Sequence, residues 1–316
     1  MSGPAKLVGH DELGRFIADI LVKHGASAQD AAIVAQGLVW ANLRGGDGHG
    51  VSRLPRYVKL LASGEIDPKA QPRLLHDRGA THTGAIGRYA QWIAAQGCAA
   101  VLMGAGPTLM AYHGARVASM ATSPIAIAVP SGDGVIALDM ATSTISNGKI
   151  LQARATGGAL PQGTVLTAAG EPTTDAKQAE ILLPLGGPKG SGLAFMFEML
   201  ASLLAAAPIQ APALGPAKRT RHTANTAMFV IDIATFRPLG DFLTDADTLG
   251  AVVKALPRQA NFDEILLPGE RGNRSEAKRR KSGIPIPAKL WEELETIANT
   301  HGVKMPAQLS AAKAES

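Results

Sequence analysis

Apolar residues at helical spacing predict two consecutive helices at the start of the chain. The first covers residues 10–24 and ends at Gly25, a residue that accepts the left-handed conformation common after a helix. The second begins at Ser27, which forms a capping box with Asp30, and extends to Gly45. The apolar positions that define the two faces are Leu13, Phe16, Ile17, Ile20, Leu21, Ile33, Val34 and Leu38. The N-terminal part of the chain is therefore predicted to be helical.

Beyond these helices, helix and strand patterns mix without a regular strand–helix–strand alternation. Residues 193–207 are almost wholly apolar, so we expect that helix to be buried. Two apolar runs, 125–129 and 135–138, flank a turn signal and predict a hairpin. Other helices are predicted from Arg53 to Ser63, from Ile86 to Gly97, around Lys149, and over 245–256 and 287–301. Other strands are predicted over 98–103, 181–185 and 226–232. Loops are predicted over 156–178, 208–222 and 268–272. The class derived from these patterns is α/β or α+β with a mixed sheet.

Composition limits the class of protein. Hydrophobic residues make up 46% of the 316 residues and charged residues 18%, and no apolar run reaches transmembrane length, so we expect a soluble globular protein without a membrane partner. The start of the chain has no basic segment followed by an apolar one, so we expect no secretory signal. The single cysteine, Cys98, lies in an apolar run and fits a buried thiol in a reducing cytoplasm.

The net charge of +5 is concentrated in a basic run near the C-terminus. The run consists of Arg271, Arg274, Lys278, Arg279, Arg280 and Lys281. Because aromatic residues are only 4% of the chain, the run lacks the interleaved stacking side chains of a single-stranded nucleic-acid surface. We therefore expect a solvated face or a contact to a cofactor phosphate, and no nucleic acid.

A glycine-flanked histidine at a predicted boundary between loop and helix is the strongest candidate for chemistry. His49 precedes a helix whose first turn tolerates Pro55, with Ser52 as the expected N-cap. Arg53 and Tyr57 then share one helix face. An imidazole exchanges a proton near neutral pH and a guanidinium binds a carboxylate through two hydrogen bonds, so the set suits a small carboxylate substrate. Taken alone, a histidine in a glycine-rich turn is as often an ordinary turn residue.

Residues 185–192 are the best candidate for a cofactor contact, because four glycines surround Lys189 between a predicted strand and a predicted helix. Such a loop lets backbone amides approach a phosphate, with the lysine as a point charge. No Walker A sequence fits, and no GxGxxG motif is followed by an acidic residue at the right distance, so a standard Rossmann domain is not expected. The alternative is a structural glycine turn with a surface lysine.

Neither a metal site nor a hydrolytic nucleophile is expected. His49 and His82 lack a clustered third ligand. The chain contains no G-x-S-x-G sequence, and Cys98 lies within a strand pattern.

Seven motifs in order along the chain resemble the malate/L-lactate dehydrogenase family, which is unrelated to the Rossmann lactate dehydrogenases. That family includes ureidoglycolate, sulfolactate and diketogulonate enzymes and cyclic-imine carboxylate reductases. The motifs are DGHGVSRLPRY, THTGAIGRYA, ATSPIAIAVP, ALDMATST, PLGGPKGSGLA, LPGERG and SGIPIP, and the match extends from about Leu7 to Pro306. The resemblance implies an α/β, non-Rossmann mixed-sheet fold with a helical N-terminal part. It also implies an NAD or NADP cofactor and a homodimer with residues from both subunits at the site.

The resemblance assigns roles to individual residues. His49 matches a histidine proposed as the proton donor in some members, and His82 matches one proposed as acid/base in others, while Arg53 and Tyr57 match substrate-pocket positions. The positions that match the dinucleotide site are Thr122, Ser123, Pro124, Asp139, Met140, Ala141, Thr142, Ser143, Lys189, Gly269, Glu270 and Arg271. The implied activity is hydride transfer between a nicotinamide and either a small 2-hydroxy acid/2-oxo acid pair of the malate/lactate type or a cyclic imine carboxylate.

By the same resemblance, residues 1–120 are expected to form a helical substrate-site part, with the C-terminal segment 273–316 packed against it. Residues 121–272 are expected to form the nicotinamide dinucleotide-binding part.

Three departures from the family pattern favour an alternative to an active enzyme. Gly48 replaces the usual serine before the histidine, and Thr81-His82-Thr83 replaces Asn-His-Phe. Only about fourteen residues separate Asp67 from His82, where family members carry a much longer segment with a turn, a helix and a strand. Loss of such a piece can expose a sheet edge and displace His82. The alternative to an active enzyme is therefore a catalytically impaired or non-catalytic homodimeric relative.

Overall fold

The structure is a computed structural model that describes residues 4–69, 84–204 and 224–309. Its helices are α1 His10–Lys23, α2 Ala28–Leu43, α3 Leu54–Ala62, α4 Ile86–Ala94, α5 Asn147–Thr156, α6 Pro188–Glu198, α7 Leu239–Lys254, α8 Glu270–Ser282 and α9 Ala288–His301. Its strands are β1 Lys6–Val8, β2 Cys98–Ala105, β3 Met110–Ala111, β4 Ala118–Met120, β5 Ile125–Ser131, β6 Gly134–Met140, β7 Val165–Leu166, β8 Ile181–Leu182, β9 Asn225–Asp232 and β10 Ile284–Ile286. Helices and strands are interspersed along the chain, as the sequence predicts.

One compact unit combines residues 4–69 with residues 269–309. Strand β1 pairs antiparallel with β10, which joins the beginning of the chain to its C-terminal part. Helix α1 packs on α2 and α9, and its predicted apolar face forms the core of this unit. The fully buried side chains on that face are Leu13, Phe16, Ile17 and Ile20. Burial of a large apolar side chain contributes roughly 1.5–3 kcal/mol, so this stripe is a main source of stability for the unit.

The second unit contains residues 84–204 and 224–268. Its larger sheet has the antiparallel strand order β6-β5-β2-β9, and the predicted hairpin of β5 and β6 is confirmed. Helix α4 packs on this sheet through Ile86, Ala90 and Ile93. A smaller sheet, in the order β4-β3-β8-β7, supports loops that carry predicted cofactor positions.

The predicted loop at 268–272 is wrong from its third residue onwards, because α8 begins at Glu270. None of the residues of α8 is buried, so no apolar periodicity marks the helix in the sequence. Its charges nevertheless suit a helix. Glu270 lies in the first turn, near the positive end of the helix dipole, and three basic residues lie in the last turn, near its negative end. Both placements are favourable.

The expectation that residues 193–207 form a buried helix is wrong for the residues described. Helix α6 continues at Met199 into a π-helical segment, and residues after 204 lie outside the described ranges, as does the linker predicted at 208–222. Ala194 and Phe197 are buried, but the opposite face is apolar and open in the single chain. That face is formed by Leu193, Phe195, Met196, Met199, Leu203 and Leu204. An apolar helix is buried on all sides only if another surface covers it.

Two other boundaries also shift. Helix α7 begins at Leu239, earlier than predicted, and β8 ends at Leu182, earlier than predicted. Segment 156–178 contains β7 and buried side chains, so it is only partly a surface loop.

The compact units also differ from the predicted parts. Because β2 pairs with β5 and β9, residues 84–120 lie in the second unit and not with the N-terminal helices. The C-terminal segment joins the first unit at residue 269. The substrate and dinucleotide roles of the two parts stay predictions. Within the described residues, no helix has both the length and the apolar character that crossing a membrane requires.

Candidate active site

His49 lies in the first unit, at the end of a short 3-10 turn that begins at Asp47 and follows α2. A second turn of the same kind leads directly into α3. The predicted helix start near Arg53 is confirmed. The predicted N-cap is wrong: Arg53 occupies that position, while the hydroxyl of Ser52 donates a hydrogen bond to the Asp47 carbonyl at 2.6 Å.

Arg53 and Tyr57 lie one helical turn apart at the start of α3, and both side chains are half-buried. The Nε–H of Arg53 donates to the carbonyl oxygen of Gly48 at 2.5 Å, which ties the guanidinium to the residue before His49. Burial lowers the pKa of Arg53, and Tyr57 opposes that shift. Arg53 nevertheless remains a cation at neutral pH, because the ordinary pKa of arginine lies far above 7. The sequence-predicted group of an imidazole, a guanidinium and a phenol is therefore brought together around one turn.

The imidazole of His49 is neutral at neutral pH in this structure. Desolvation, and then the positive charge of Arg53, lower the pKa of His49 to about 4. The residue as a whole is nevertheless exposed to solvent. His49 is therefore desolvated enough for its pKa to be lowered and is still accessible to a small molecule. Neutral imidazole accepts a proton, and a carboxylate bound nearby raises its proton affinity.

Three loops that carry predicted cofactor positions are hydrogen-bonded together in the second unit. The carbonyl oxygen of Thr122 accepts both the N–H of Thr142, at 2.8 Å, and its hydroxyl, at 2.9 Å. The carbonyl of Thr142 in turn accepts the N–H of Leu185 at 2.8 Å. Ser123 is fully buried and has a φ of 30°, a strained conformation that other residues hold in place and that often marks functional sites.

The glycine-rich loop at the start of α6 is used mainly for close packing. A Cβ on Gly190 would lie 2.4 Å from the Thr142 oxygen and 2.6 Å from the Leu185 nitrogen, so only glycine fits there. The N–H groups of Lys189, Gly190 and Ser191 donate to carbonyls of the same loop. These amides are thus largely committed to the chain. The exposed side chain of Lys189 is the part of the motif that remains for an anion.

Gly269, Glu270 and Arg271 form the N-terminus of α8 in the first unit. Gly269 has a φ of 93°, and its carbonyl accepts a hydrogen bond from Nη2 of Arg44 at 3.1 Å, which fixes this end of the helix to the end of α2. Arg271 is exposed and is the second residue of α8, as Lys189 is of α6. A cation in the first turn of a helix is unfavourable unless an anion neutralises it.

Asp139 has a contact that the sequence did not suggest. Its Oδ2 accepts the N–H of Gly87, at 3.2 Å, in the first turn of α4. This helix follows the segment that contains His82, and His82 itself lies outside the described residues. Of the other predicted cofactor positions in the second unit, Thr142 and Ser143 are buried and Thr122, Pro124, Met140 and Ala141 are half-buried.

A polar network behind His49 was missed by the sequence reasoning. Asn42 has an exposed fraction of only 2%, and its side chain bonds both to Asp47, at 2.7 Å, and to the N–H of Val51, at 2.7 Å. Arg279 of α8 completes the network. An asparagine within a helix and an arginine far along the chain give no local signal of this contact. In the described ranges, no three His, Cys, Asp or Glu side chains are grouped so that they could hold a metal ion.

Comparisons with known proteins agree with the family suggested by the motifs. The family model described as malate/L-lactate dehydrogenase matches residues 8–81 and 78–295. The malate dehydrogenase of Pyrococcus horikoshii is 31% identical to this chain, over 94% of the chain and 96% of the relative. That alignment extends over 346 positions, although this chain has 316 residues. The Delta(1)-pyrroline-2-carboxylate/Delta(1)-piperideine-2-carboxylate reductase of Pseudomonas putida is 33% identical over 61% of the chain and 69% of the relative.

The fold agrees as well. The solved structure of sulfolactate dehydrogenase from Methanocaldococcus jannaschii superimposes with a TM-score of 0.84 at 28% identity, over 95% of this chain and 98% of that one. The predicted non-Rossmann α/β fold is therefore confirmed at the level of the whole chain.

Proposed function

The chain belongs to the malate/L-lactate dehydrogenase family, and from that premise we propose that it is an NAD(P)-dependent oxidoreductase of small carboxylates. Its relatives are dehydrogenases and reductases, and the named substrates of two of them are malate and cyclic imine carboxylates. The substrate class proposed for this chain is correspondingly a 2-hydroxy acid/2-oxo acid pair of the malate/lactate type, or a cyclic imine carboxylate.

The observation that carries this proposal is the pairing of His49 with Arg53 around one turn. Nε of Arg53 is held to the Gly48 carbonyl, and we propose that the two terminal nitrogens of its guanidinium bind a substrate carboxylate. His49, exposed to solvent and neutral, is suited to accept a proton from a substrate hydroxyl during oxidation, and to return it during reduction. His82 is the other candidate for this proton exchange. Tyr57, one turn beyond Arg53, is proposed to line the substrate pocket.

The residues at the predicted dinucleotide positions fit an anionic cofactor. In the second unit, Lys189 places an exposed positive charge in the first turn of a helix, where a phosphate of a dinucleotide can neutralise it. In the first unit, Arg271 has the same position in its own helix and is a separate candidate for a phosphate contact. The packed loops at Thr122–Pro124 and Asp139–Ser143 are proposed to contact the rest of the cofactor. When bound, the nicotinamide supplies or accepts a hydride at C2 of the substrate. NAD and NADP are both compatible with this set of side chains.

A substrate panel tests the proposal. We expect the purified full-length chain to oxidise NADH or NADPH in the presence of a 2-oxo acid or a cyclic imine carboxylate. His49→Gln and His82→Gln are the informative variants, because the one that lowers turnover by about 100-fold or more identifies the proton-exchanging histidine. If both variants keep the wild-type turnover rate on every active substrate, neither histidine exchanges the proton and the proposed role of both is contradicted.

We also propose that the protein is a homodimer. Among the described residues, strand β9 is an edge of the larger sheet, and its four consecutive side chains Met228, Phe229, Val230 and Ile231 are 44–50% exposed. Consecutive residues point to opposite faces of a strand, so this edge is apolar on both faces. Apolar edge strands are normally covered, because they otherwise pair with other chains. A second copy of the chain is the proposed cover.

A cytoplasmic location is proposed as well, which the free thiol of Cys98 supports.

A second candidate is a relative with impaired or lost activity. It rests on two observations: the family-model match breaks at residues 78–81, and the alignment with the malate dehydrogenase is longer than this chain. The first points to a missing segment close to His82, and the second shows only that the relative carries residues that this chain lacks. The test is a titration with NADH and with NADPH that follows energy transfer from tryptophan to nicotinamide. A folded dimer that binds neither cofactor and reduces no substrate would favour this second candidate.

A further inference from the structure

One arginine of the basic run has a different environment from its neighbours. Arg280 pairs with Glu276 on the same helix and is exposed, whereas the Arg279 side chain is only 18% exposed. Its guanidinium crosses from α8 to the end of α2, where Nη1 donates to the carbonyl oxygen of Asn42. A cation that binds a C-terminal helix carbonyl is favourably placed, because the helix dipole is negative there.

The same guanidinium binds Asp47 through two hydrogen bonds. Nη1 lies 2.6 Å from Oδ1 and Nη2 lies 3.0 Å from Oδ2, a fork-to-fork geometry that fixes the direction of the carboxylate as well as its position. Asp47 is the first residue of the turn that ends at His49. The arginine therefore acts on the turn two residues before the imidazole.

Asn42 fixes the turn on the other side of His49. Its Nδ2 donates to Asp47 Oδ1 and its Oδ1 accepts the N–H of Val51, both at 2.7 Å. The chain between these two points passes so close to Asn42 that a Cβ on Gly50 would lie 2.1 Å from Oδ1. Residues before and after His49 are thus attached to a single buried side chain, which Arg279 supports from α8.

We propose that Arg279 is a positioning residue that acts through Asp47, which Asn42 also binds, to orient His49 and the Gly48 carbonyl that holds Arg53. This inference rests on the proposed function, because orientation of these two side chains matters only if they act on a substrate. Asp47 is 46% exposed, and ion pairs with an exposed partner add little to stability. The main consequence of the pair is therefore geometric.

Arg279→Gln tests the proposal, with Arg280→Gln as the matched control on the next residue of the same helix. Both changes remove one positive charge and keep a polar side chain. We expect Arg279→Gln to lower kcat by roughly 10- to 100-fold, since a displacement of about 1 Å can cost that much, while the KM for the cofactor and the Tm change little. Arg280→Gln should match the wild type in all three. A lower Tm with unchanged kcat for Arg279→Gln would overturn the proposal in favour of a purely structural role.

A pair of variants tests whether the contact acts as a unit. Asp47→Asn keeps the shape of the side chain but weakens its hold on the guanidinium. If Arg279 acts through Asp47, the double variant Asp47→Asn/Arg279→Gln should lose no more kcat than the worse single variant. Additive losses would overturn the proposal, because they would mean that Arg279 acts by another route.

A readout without substrate separates this proposal from the proposed function. NMR of the labelled histidines in the free protein, assigned with His49→Gln, gives the pKa of His49. We expect Arg279→Gln to move that pKa from about 4 towards its ordinary value of 6.5, and Arg280→Gln to leave it in place. A pKa of His49 unchanged by Arg279→Gln would overturn the positioning role even if the enzyme is active. A shifted pKa in a protein that turns over no substrate would support the positioning contact and contradict only the proposed function.

Discussion

His49 determines the pH dependence expected of the enzyme. Its pKa is lowered to about 4 by desolvation and by Arg53, so the imidazole is protonated only in acid. Reduction of a 2-oxo acid consumes a proton, and kcat/KM reports the ionisation of the free enzyme. The protonated fraction falls about tenfold with each pH unit above the pKa, so kcat/KM for reduction should fall with the same slope, whereas kcat/KM for oxidation should be flat through neutral pH.

The measurement is the pair of pH profiles for the wild type and for His49→Gln. The variant should lose the slope in the reductive direction, because glutamine does not titrate. A reductive kcat/KM that stays constant for the wild type from acid to neutral pH would contradict the role of His49 as the proton donor.

Arg53 should govern the affinity for the acid substrate. Arg53→Lys keeps the charge but removes both the fork and the Nε–H that bonds to Gly48. Hydrogen bonds to charged groups contribute about 1.5–3 kcal/mol, so we expect the KM for the acid to rise by roughly 10- to 100-fold. Steady-state kinetics check this, with Arg15→Lys as the same change at an exposed site on α1. An equal effect of both variants would argue against a carboxylate contact at Arg53.

The sequence located these residues because their relation is local. His49, Arg53 and Tyr57 lie within nine residues of one another, so helical spacing alone places the last two on one face. Arg279 lies 232 residues from Asp47, and nothing in either local pattern shows the contact between them. The predicted placement of Arg53 and Tyr57 on one helix face therefore holds, whereas the predicted N-cap at Ser52 was wrong and the distant contact of Asp47 was not predicted.

At the scale of elements, prediction followed apolar periodicity. Helices α1 and α9 were predicted because each has an apolar stripe that packs in the core. Helix α8 was missed because none of its residues is buried, although it carries both Arg271 and Arg279. The apolar helix α6 was predicted, but the prediction that it is buried was wrong, because one of its apolar faces is exposed in the single chain.

The first turn of α6 gives a prediction about cofactor binding. Lys189→Ala removes a cation that the helix dipole disfavours, so the variant should be at least as stable as the wild type. If Lys189 contacts a dinucleotide phosphate, the Kd for NADH or NADPH should rise by roughly 5- to 100-fold, and more so at low salt. The energy-transfer titration measures it, with Lys177→Ala as the control at another exposed lysine. Unchanged affinity in Lys189→Ala would exclude this phosphate contact.

At the scale of the whole molecule, the described residues of β9 present an exposed apolar surface. Phe229→Lys places a charge in the middle of the exposed face of β9 and should convert the proposed dimer into a monomer, because an unpaired buried charge costs several kcal/mol at an interface. Light scattering after size-exclusion chromatography measures the mass. Phe262→Lys is the matched control at an exposed phenylalanine outside that strand. A wild-type chain that is monomeric at every concentration would contradict the dimer.

The activity proposed for the whole molecule is the transfer of a hydride between a nicotinamide and C2 of a small carboxylate. The most direct test is to supply reduced nicotinamide cofactor carrying deuterium at the transferable position, together with a 2-oxo acid, and to examine the product by NMR. We expect the wild type to form a 2-hydroxy acid with deuterium at C2, and Arg53→Lys to form much less of it. A folded, cofactor-binding protein that forms no C2-deuterated product from any 2-oxo acid or cyclic imine carboxylate would contradict it.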